Sequence, residues 1–210
     1  SMPRALCRKF SPPQKVGYKS FDGTLIQGYV YRPQKQPPGP GPAIIEIHGG
    51  PVDQFRDTMH VVVQYYVQRG YTVLMANIRG SAGYGKNFEE LIKTGWGVDD
   101  LKDLVEGARY MVDSGLADPN RIGATGQSYG GSMSMEIACS APQGLFQASI
   151  SRTGYADWGY YHKHGSQRTV KLLRHSLGEF DDNEALYDVS AALNKVKNAQ
   201  TPVFVIDQET

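Results

Sequence analysis

Residues 121–131 read Arg-Ile-Gly-Ala-Thr-Gly-Gln-Ser-Tyr-Gly-Gly, and this stretch decides the fold. Arg121 to Thr125 predicts a short strand, and Tyr129 to Ala138 predicts a helix that begins directly after a glycine-flanked turn. The turn forces Ser128 into a strained backbone, while Gly126 and the glycines at 130 and 131 allow strand and helix to approach closely. The sequence therefore predicts a serine hydroxyl presented where a strand meets the first turn of a helix.

Two main-chain amides near this turn are candidates to stabilise negative charge. The amide of Tyr129 lies at the start of the predicted helix, where it can face a developing oxyanion. A second donor is expected in His48-Gly49-Gly50-Pro51, which follows a predicted strand at Ala43 to Ile47, and Gly50 is the best candidate. His48 itself is predicted to pack beneath this loop. The pattern indicates a nucleophile elbow; the alternative is a glycine-rich turn with an incidental serine.

Strands and helices alternate along the rest of the chain. A helix begins near Asp99, with Asp99 or Asp100 predicted as its N-cap and Gly115 as its stop. The other predicted elements are a hairpin within Val16 to Arg32, a helix at Val61 to Gln68, and strands at Tyr71 to Ala76, Gln147 to Ser151 and Pro202 to Ile206. This order predicts an α/β protein with a mainly parallel, doubly wound sheet, whose ligands collect at the carboxyl ends of the strands.

The composition excludes several classes of partner. With 22 basic and 21 acidic residues, the chain has no charge excess that would favour nucleic acid or an anionic membrane. No apolar stretch approaches membrane-spanning length. Cys7 and Cys139 belong to no metal-spaced pair, which predicts free thiols in the cytoplasm, and neither a metal nor an organic cofactor is implied. Residues 15–210 are expected to form one domain after an N-terminal extension, residues 1–14, that begins with a Ser1-Met2 cloning scar.

Several separated stretches occur in an order typical of one family. They are Phe21-Asp22-Gly23, His48 to Pro51, Asn77 to Gly85, Asp99-Asp100, Asp118 to Ile122, Gly126 to Gly131 and Lys197 to Ile206. Together they resemble the catalytic domain of the prolyl oligopeptidase family of serine peptidases, which has the α/β-hydrolase fold and includes dipeptidyl and acylaminoacyl peptidases. The resemblance implies that Ser128 is the nucleophile and that Gly50 and Tyr129 supply the oxyanion hole.

Three polar segments have less specific roles under this resemblance. The loop from Arg79 to Gly85 would border the active site, and its arginine is expected to tie neighbouring loops together. Asp99 and Asp100 are expected to cap a helix and not to act as catalytic carboxylates. The polar and aromatic segment from Tyr155 to Asn198 is predicted to be a mobile excursion that covers the site.

The usual catalytic acid and histidine are not found where the family places them. The order in these hydrolases is nucleophile, acid, histidine, and the acid follows the strand that Pro202 to Ile206 resembles. Asp207 and Glu209 come after that strand, but neither falls at the matching position. His162, His164 and His175 lie in the segment just before that strand, and using one of them would require a rearranged triad. We therefore expect a truncated hydrolase that lacks the last strand and helix, and with them the acid and base that would activate Ser128.

Two functions remain open. The first is a serine hydrolase, peptidase or esterase, that forms an acyl-enzyme at Ser128 with a peptide or small ester and takes its acid and histidine from elsewhere. The alternative is a non-catalytic relative that serves as a binding or self-assembly module. Because the last strand is expected to be missing, Val203 to Ile206 would be an apolar sheet edge, which predicts self-association or a partner that covers this edge. A nucleotide-binding domain is disfavoured because no Walker lysine or Gly-x-Gly-x-x-Gly turn follows the first strand.

Overall fold

A seven-stranded sheet forms the centre of the computed structural model, which describes residues 10–35 and 38–207. Its strands are β1 (Gln14–Lys19), β2 (Leu25–Tyr31), β3 (Gly41–Ile47), β4 (Thr72–Asn77), β5 (Ala117–Gln127), β6 (Ala148–Arg152) and β7 (Val203–Ile206). The spatial order is β1-β2-β4-β3-β5-β6-β7. Strands β1, β2 and β4 pair antiparallel, and the remaining pairs are parallel. The predicted mainly parallel sheet is therefore confirmed.

Helices connect the parallel strands. They are α1 (Val61–Gln68), α2 (Lys86–Glu90), α3 (Asp99–Asp113), α4 (Tyr129–Ser140), α5 (Trp158–His164), α6 (Gln167–Leu177), α7 (Phe180–Val189) and α8 (Ala192–Lys195), with short 3₁₀ segments at Leu91–Thr94 and Val196–Asn198. The helices predicted at 61–68, from Asp99 and from Tyr129 are all present. Helix α2 was missed by the sequence analysis because five residues are too few to show a helical period.

The two faces of the sheet bury different helices. Successive side chains of β4 alternate between faces. Val73 and Met75 belong to an apolar cluster that includes Val63 and Val67 of α1. Leu74 and Ala76 belong to the larger cluster, which contains residues of α3 and α4 such as Leu104 and Met133. The sheet is thus covered by α1 on one face and by α3 and α4 on the other, as a doubly wound arrangement requires.

The segment between β6 and β7 differs from the prediction. We expected a mobile polar excursion from Tyr155 to Asn198, whereas the structure forms α5, α6, α7 and α8 there. Trp158, Leu173 and Tyr187 from this segment are buried within the main core. Because many polar residues separate the apolar ones, the composition of this segment did not predict its helices, which are stabilised by packing.

The start of α3 also needs a correction. Val98 is the N-cap residue, and Asp99 and Asp100 lie in the first turn of the helix. The carboxylate of Asp100 accepts hydrogen bonds from the main-chain N–H groups of Val98 and Leu101, each at 3.0 Å. Asp100 is therefore bound to the helix start without being its cap, and its other oxygen is left for a more distant partner.

The ends of the chain are only partly described. Residues 1–9 of the predicted N-terminal extension lie outside the described residues, and so does Cys7, whereas Gln14 already belongs to β1. Cys139 is a free thiol. The cytoplasmic location inferred from the two cysteines stays a prediction. Across the described ranges, every helix is too short or too polar to cross a bilayer.

Arg79 ties together three parts of the fold. It follows β4, and its guanidinium donates to both carboxylate oxygens of Asp103 on α3, with Nε–Oδ2 at 3.0 Å and Nη2–Oδ1 at 2.8 Å. A further bond joins Nη1 to Asp22 Oδ2 in the β1–β2 turn at 3.2 Å. Arg79 and Asp103 are both buried. This geometry confirms the predicted tying role of the arginine.

We predict that Arg79→Met lowers the free energy of unfolding by about 3–5 kcal/mol, because it leaves the buried Asp103 carboxylate without its cation. Urea unfolding followed by circular dichroism measures the change. The matched control is Arg121→Met, since Arg121 pairs with Asp118 at 2.8 Å on the surface. The control should keep the wild-type unfolding midpoint. Equal effects of the two substitutions would contradict the role given to Arg79.

Candidate functional site

Ser128 lies at a strained turn between β5 and α4. Its φ is 57°, a left-handed value that side-chain-bearing residues rarely adopt. Its main-chain N–H donates to the carbonyl of Arg152 at 2.9 Å, and its carbonyl accepts from the N–H of Ser132 at 3.0 Å. Such strain costs on the order of 1–3 kcal/mol and persists only where neighbouring contacts fix the backbone. The structure thus places the serine in the kind of turn that the sequence predicts.

Glycines make this turn possible. A Cβ on Gly126 would lie 2.5 Å from the carbonyl carbon of Gly130. A Cβ on Gly130 would overlap the carbonyl oxygen of Ile47, and one on Gly131 would lie 2.6 Å from the carbonyl oxygen of Arg152. All of these obstacles are backbone atoms, which cannot rotate away as a flexible side chain would. The start of α4 is therefore packed against the ends of β3, β5 and β6 with no room for a side chain.

The predicted site residues share one cavity. It has a volume of about 540 Å³, and its wall includes Ser128, Gly50 and Tyr129. The rest of the wall consists of aromatic side chains, residues of the β3 loop and residues at α6. They are Trp96, Tyr155, Trp158, Val52, Asp53, Ser166, Arg168, Thr169, Leu172 and Leu173. Ser128 is partly exposed to this cavity, so a ligand can reach its hydroxyl. The tryptophans could not be predicted from the sequence, because only the fold brings them to the serine.

The loop after β3 holds Gly50 beside Ser128. Gly50 has a φ of 119°, and a Cβ there would lie 2.6 Å from the main-chain nitrogen of Val52, so this position requires glycine. His48 is buried beneath the loop, with Nε2 2.8 Å from Ser81 Oγ and Nδ1 2.7 Å from the carbonyl of Gly49. Burial lowers the pKa of His48. The predicted supporting place of His48 is confirmed.

No histidine of the described chain lines the Ser128 cavity. His162 packs against Phe180 and Tyr187. His164 stacks on Tyr160, and His175 is exposed on α6. All three therefore belong to the helical layer between β6 and β7.

The two C-terminal acids are placed differently. Asp207 follows β7, whose last residue, Ile206, accepts a hydrogen bond from the Thr153 N–H at 2.7 Å. Glu209 lies outside the described residues. Within residues 10–35 and 38–207, no group of three histidine, cysteine or acidic side chains is arranged to hold a metal ion.

A partly buried ion pair beside the elbow was not predicted from the sequence either. Arg152 Nη2 donates to Glu46 Oε1 across β5, and the carbonyl of the same arginine holds the Ser128 N–H. Burial raises the pKa of Glu46 to about 7, although the Arg152 guanidinium opposes this change. The available signal was one acidic residue inside the otherwise apolar strand Ala43 to Ile47, since a charge in such a strand needs a partner.

A serine at a tight strand-to-helix turn, on a mainly parallel sheet with helices on both faces, defines the α/β-hydrolase fold. Within that class the chain belongs to the prolyl oligopeptidase family, whose model matches residues 57–209. It is 31% identical over 208 residues to the uncharacterized peptidase YuxL of Bacillus subtilis, covering 95% of this chain and 30% of that protein. It is 29% identical over 185 residues to human dipeptidyl peptidase 8, covering 85% of this chain and 20% of the relative.

Solved structures agree with this assignment. The uncomplexed acylaminoacyl peptidase of Pyrococcus horikoshii matches with a TM-score of 0.87 and 26% identity, over 99% of this chain and 34% of that one. A puromycin-hydrolyzing peptidase of Mycobacterium tuberculosis matches with a TM-score of 0.86 and 25% identity, over 94% of this chain and 30% of the other. The chain therefore spans about a third or less of the length of the relatives it matches.

We predict that Gly130→Ala prevents the elbow from closing, because the new methyl group would overlap the backbone of β3. Overpacking of this kind costs about 1–3 kcal/mol or more. Thermal unfolding measures the loss. Gly41→Ala is the matched control, since a Cβ there meets nothing closer than 3.9 Å. A Gly130→Ala protein as stable as the control would contradict the close contact.

Proposed function

We propose that this chain carries the nucleophile and the oxyanion donors of a serine hydrolase that acts on peptides or small esters. The observation that carries the proposal is the shared cavity, in which the strained Ser128 faces the same space as Gly50 and Tyr129. In the reaction, Ser128 Oγ bonds to the substrate carbonyl carbon, and the serine proton passes by way of a base to the leaving amine or alcohol. Water then releases the acyl group by the same steps.

The two glycine-rich turns give the negative charge a place to develop. The main-chain N–H of Tyr129 belongs to the first turn of α4, where N–H groups have no partner within the helix. Gly50 lines the same cavity, in the loop after β3, where its φ is 119°. We assign these two N–H groups to the carbonyl oxygen of the substrate as it becomes an oxyanion. Donors fixed in advance stabilise that charge most effectively.

The base and acid belong to polypeptide outside the described residues in this proposal. All five histidines lie within the described ranges. His48 lies in the loop after β3, His60 directly precedes α1, and the other three lie in the helical layer between β6 and β7. A serine hydroxyl without a base is a weak nucleophile at neutral pH. The peptidase names of the relatives favour a peptide substrate, and esters share the same acyl-transfer steps.

The proposal predicts that a fluorophosphonate probe labels Ser128, and that added imidazole accelerates the labelling by at least about tenfold, because it replaces part of a missing general base. Intact-mass spectrometry and peptide mapping measure the rate and the site. Ser128→Ala should abolish the adduct, whereas Ser140→Ala, at the far end of the same helix, should label at the wild-type rate. Absence of labelling in the wild-type chain, or labelling that survives in Ser128→Ala, would overturn the proposal.

A second candidate function is self-assembly, and the exposure of β7 favours it. The side chains of Val203, Phe204, Val205 and Ile206 are 39–65% exposed, and only β6 pairs with this strand among the described residues. A cavity of about 550 Å³ lies beside β7, on the face of the sheet that carries α1. Ala148 and Ile150 of β6 line this cavity together with Tyr65 and Tyr66 of α1. We propose that a second copy covers this edge through strand pairing, as exposed apolar edges do.

Self-assembly predicts that sedimentation velocity detects dimers or larger species whose fraction grows with protein concentration. Phe204→Lys should return the protein to monomers, because a charge on an edge strand blocks pairing. The control is Leu193→Lys on α8, where the native side chain is 52% exposed and belongs to a helix, not to a strand. A wild-type protein that stays monomeric at high concentration would rule out assembly through β7.

A further inference from the structure

A fully buried carboxylate lies directly behind the wall of the Ser128 cavity. Asp100 Oδ2 accepts a hydrogen bond from the Tyr129 hydroxyl, while Oδ1 accepts hydrogen bonds from the main-chain N–H groups of Val98 and Leu101 at 3.0 Å each. Both oxygens are therefore occupied. The carboxylate is fixed to the start of α3 on one side and fixes a side chain of α4 on the other. The chemistry proposed above gives Asp100 no role.

The partner of this carboxylate is the residue that follows the nucleophile. The ring of Tyr129 is packed edge-on against Trp96 at 5.1 Å and stacked near Trp158 at 6.2 Å. Two side-chain dihedrals separate this ring from the main chain, so a clamped ring and a clamped hydroxyl leave the backbone of residue 129 little freedom. The proposed oxyanion donor is the N–H of that same residue.

The ionisable groups nearest Asp100 are acidic. Asp103 lies on the same helix, and Glu136 approaches from α4, where Lys195 of α8 pairs with it at 2.6 Å. Burial raises the pKa of Asp100 to about 6, so above this pH the carboxylate is ionised and accepts. Burial also raises the pKa of Tyr129 well above its usual value, so its hydroxyl keeps the proton that it donates.

We propose that Asp100 is a positioning residue, whose carboxylate holds Tyr129 so that the main-chain N–H of residue 129 faces the oxyanion formed at Ser128. This inference rests on the proposed hydrolase function and adds the group that aligns its oxyanion hole. Oxyanion donors act only at short distances from the charge. A displacement of about 1 Å in such a site can lower the rate by about a hundredfold. A partial loss of alignment is expected to cost less.

The test measures fluorophosphonate labelling of Ser128 at a fixed imidazole concentration over a range of probe concentrations. Asp100→Asn and Tyr129→Phe should each lower the maximal labelling rate about tenfold and leave the half-saturating probe concentration unchanged. Asparagine has one acceptor oxygen where aspartate has two, so it cannot serve both the helix start and the Tyr129 hydroxyl. The double variant should be no slower than either single one, because both remove the same contact.

The control is Asp99→Asn, which changes the neighbouring first-turn carboxylate and should label at the wild-type rate. Tyr129→Phe keeps the ring and the main-chain donor, so it tests the inference even where Asp100→Asn fails to fold. Wild-type rates in Tyr129→Phe and in a folded Asp100→Asn would overturn the positioning role while the function stands. Variants whose only change is a higher half-saturating probe concentration would also overturn the positioning role. Absence of labelling in the wild-type chain would overturn both.

Discussion

The close crossing of β5 and α4 at Ser128 is the contact on which the rest of the site depends. Gly130 lies against the carbonyl of Ile47 at the end of β3, so the helix start is fixed relative to that strand as well as to its own. Gly50 follows three residues after Ile47. One backbone contact therefore sets the spacing between Ser128, the proposed donor on α4 and the proposed donor on the β3 loop. The strain at Ser128 is the cost of bringing them together.

The end of β6 is tied into the same assembly. Arg152 holds Ser128 through its carbonyl and Glu46 through its guanidinium, and Gly154 packs against Gly131 with no space for a side chain. This partly buried ion pair contributes little net stability, because desolvation of Glu46 offsets much of the attraction. The ion pair instead helps to fix the positions of the strand ends. Since one residue contacts both β3 and the elbow, the three strand ends that surround Ser128 have a single relative arrangement.

The sequence predicted those parts of the site that depend on local backbone geometry. Glycine spacing around Ser128 and in the loop containing Gly50 reports a requirement of the chain itself, and the structure places both in one cavity. Asp100 was expected to be only a cap, because its contact with Tyr129 joins residues that are 29 positions apart. No local pattern encodes such a pair. The tryptophans at 96 and 158 escaped notice for the same reason.

The helical layer between β6 and β7 contacts the residue that carries one of the proposed oxyanion donors. Trp158 of α5 contacts Trp96 edge-on at 4.8 Å and stacks near Tyr129, so one aromatic cluster joins this layer to the start of α4. These rings are nearly fully buried and border the cavity that contains Ser128. A displacement of α5 must therefore move the ring of Trp158, which contacts both Trp96 and Tyr129, the residue that carries the proposed donor. Because the hydroxyl of Tyr129 is also bound to Asp100, the start of α3 resists that movement, and the cavity wall and the donor shift together or not at all.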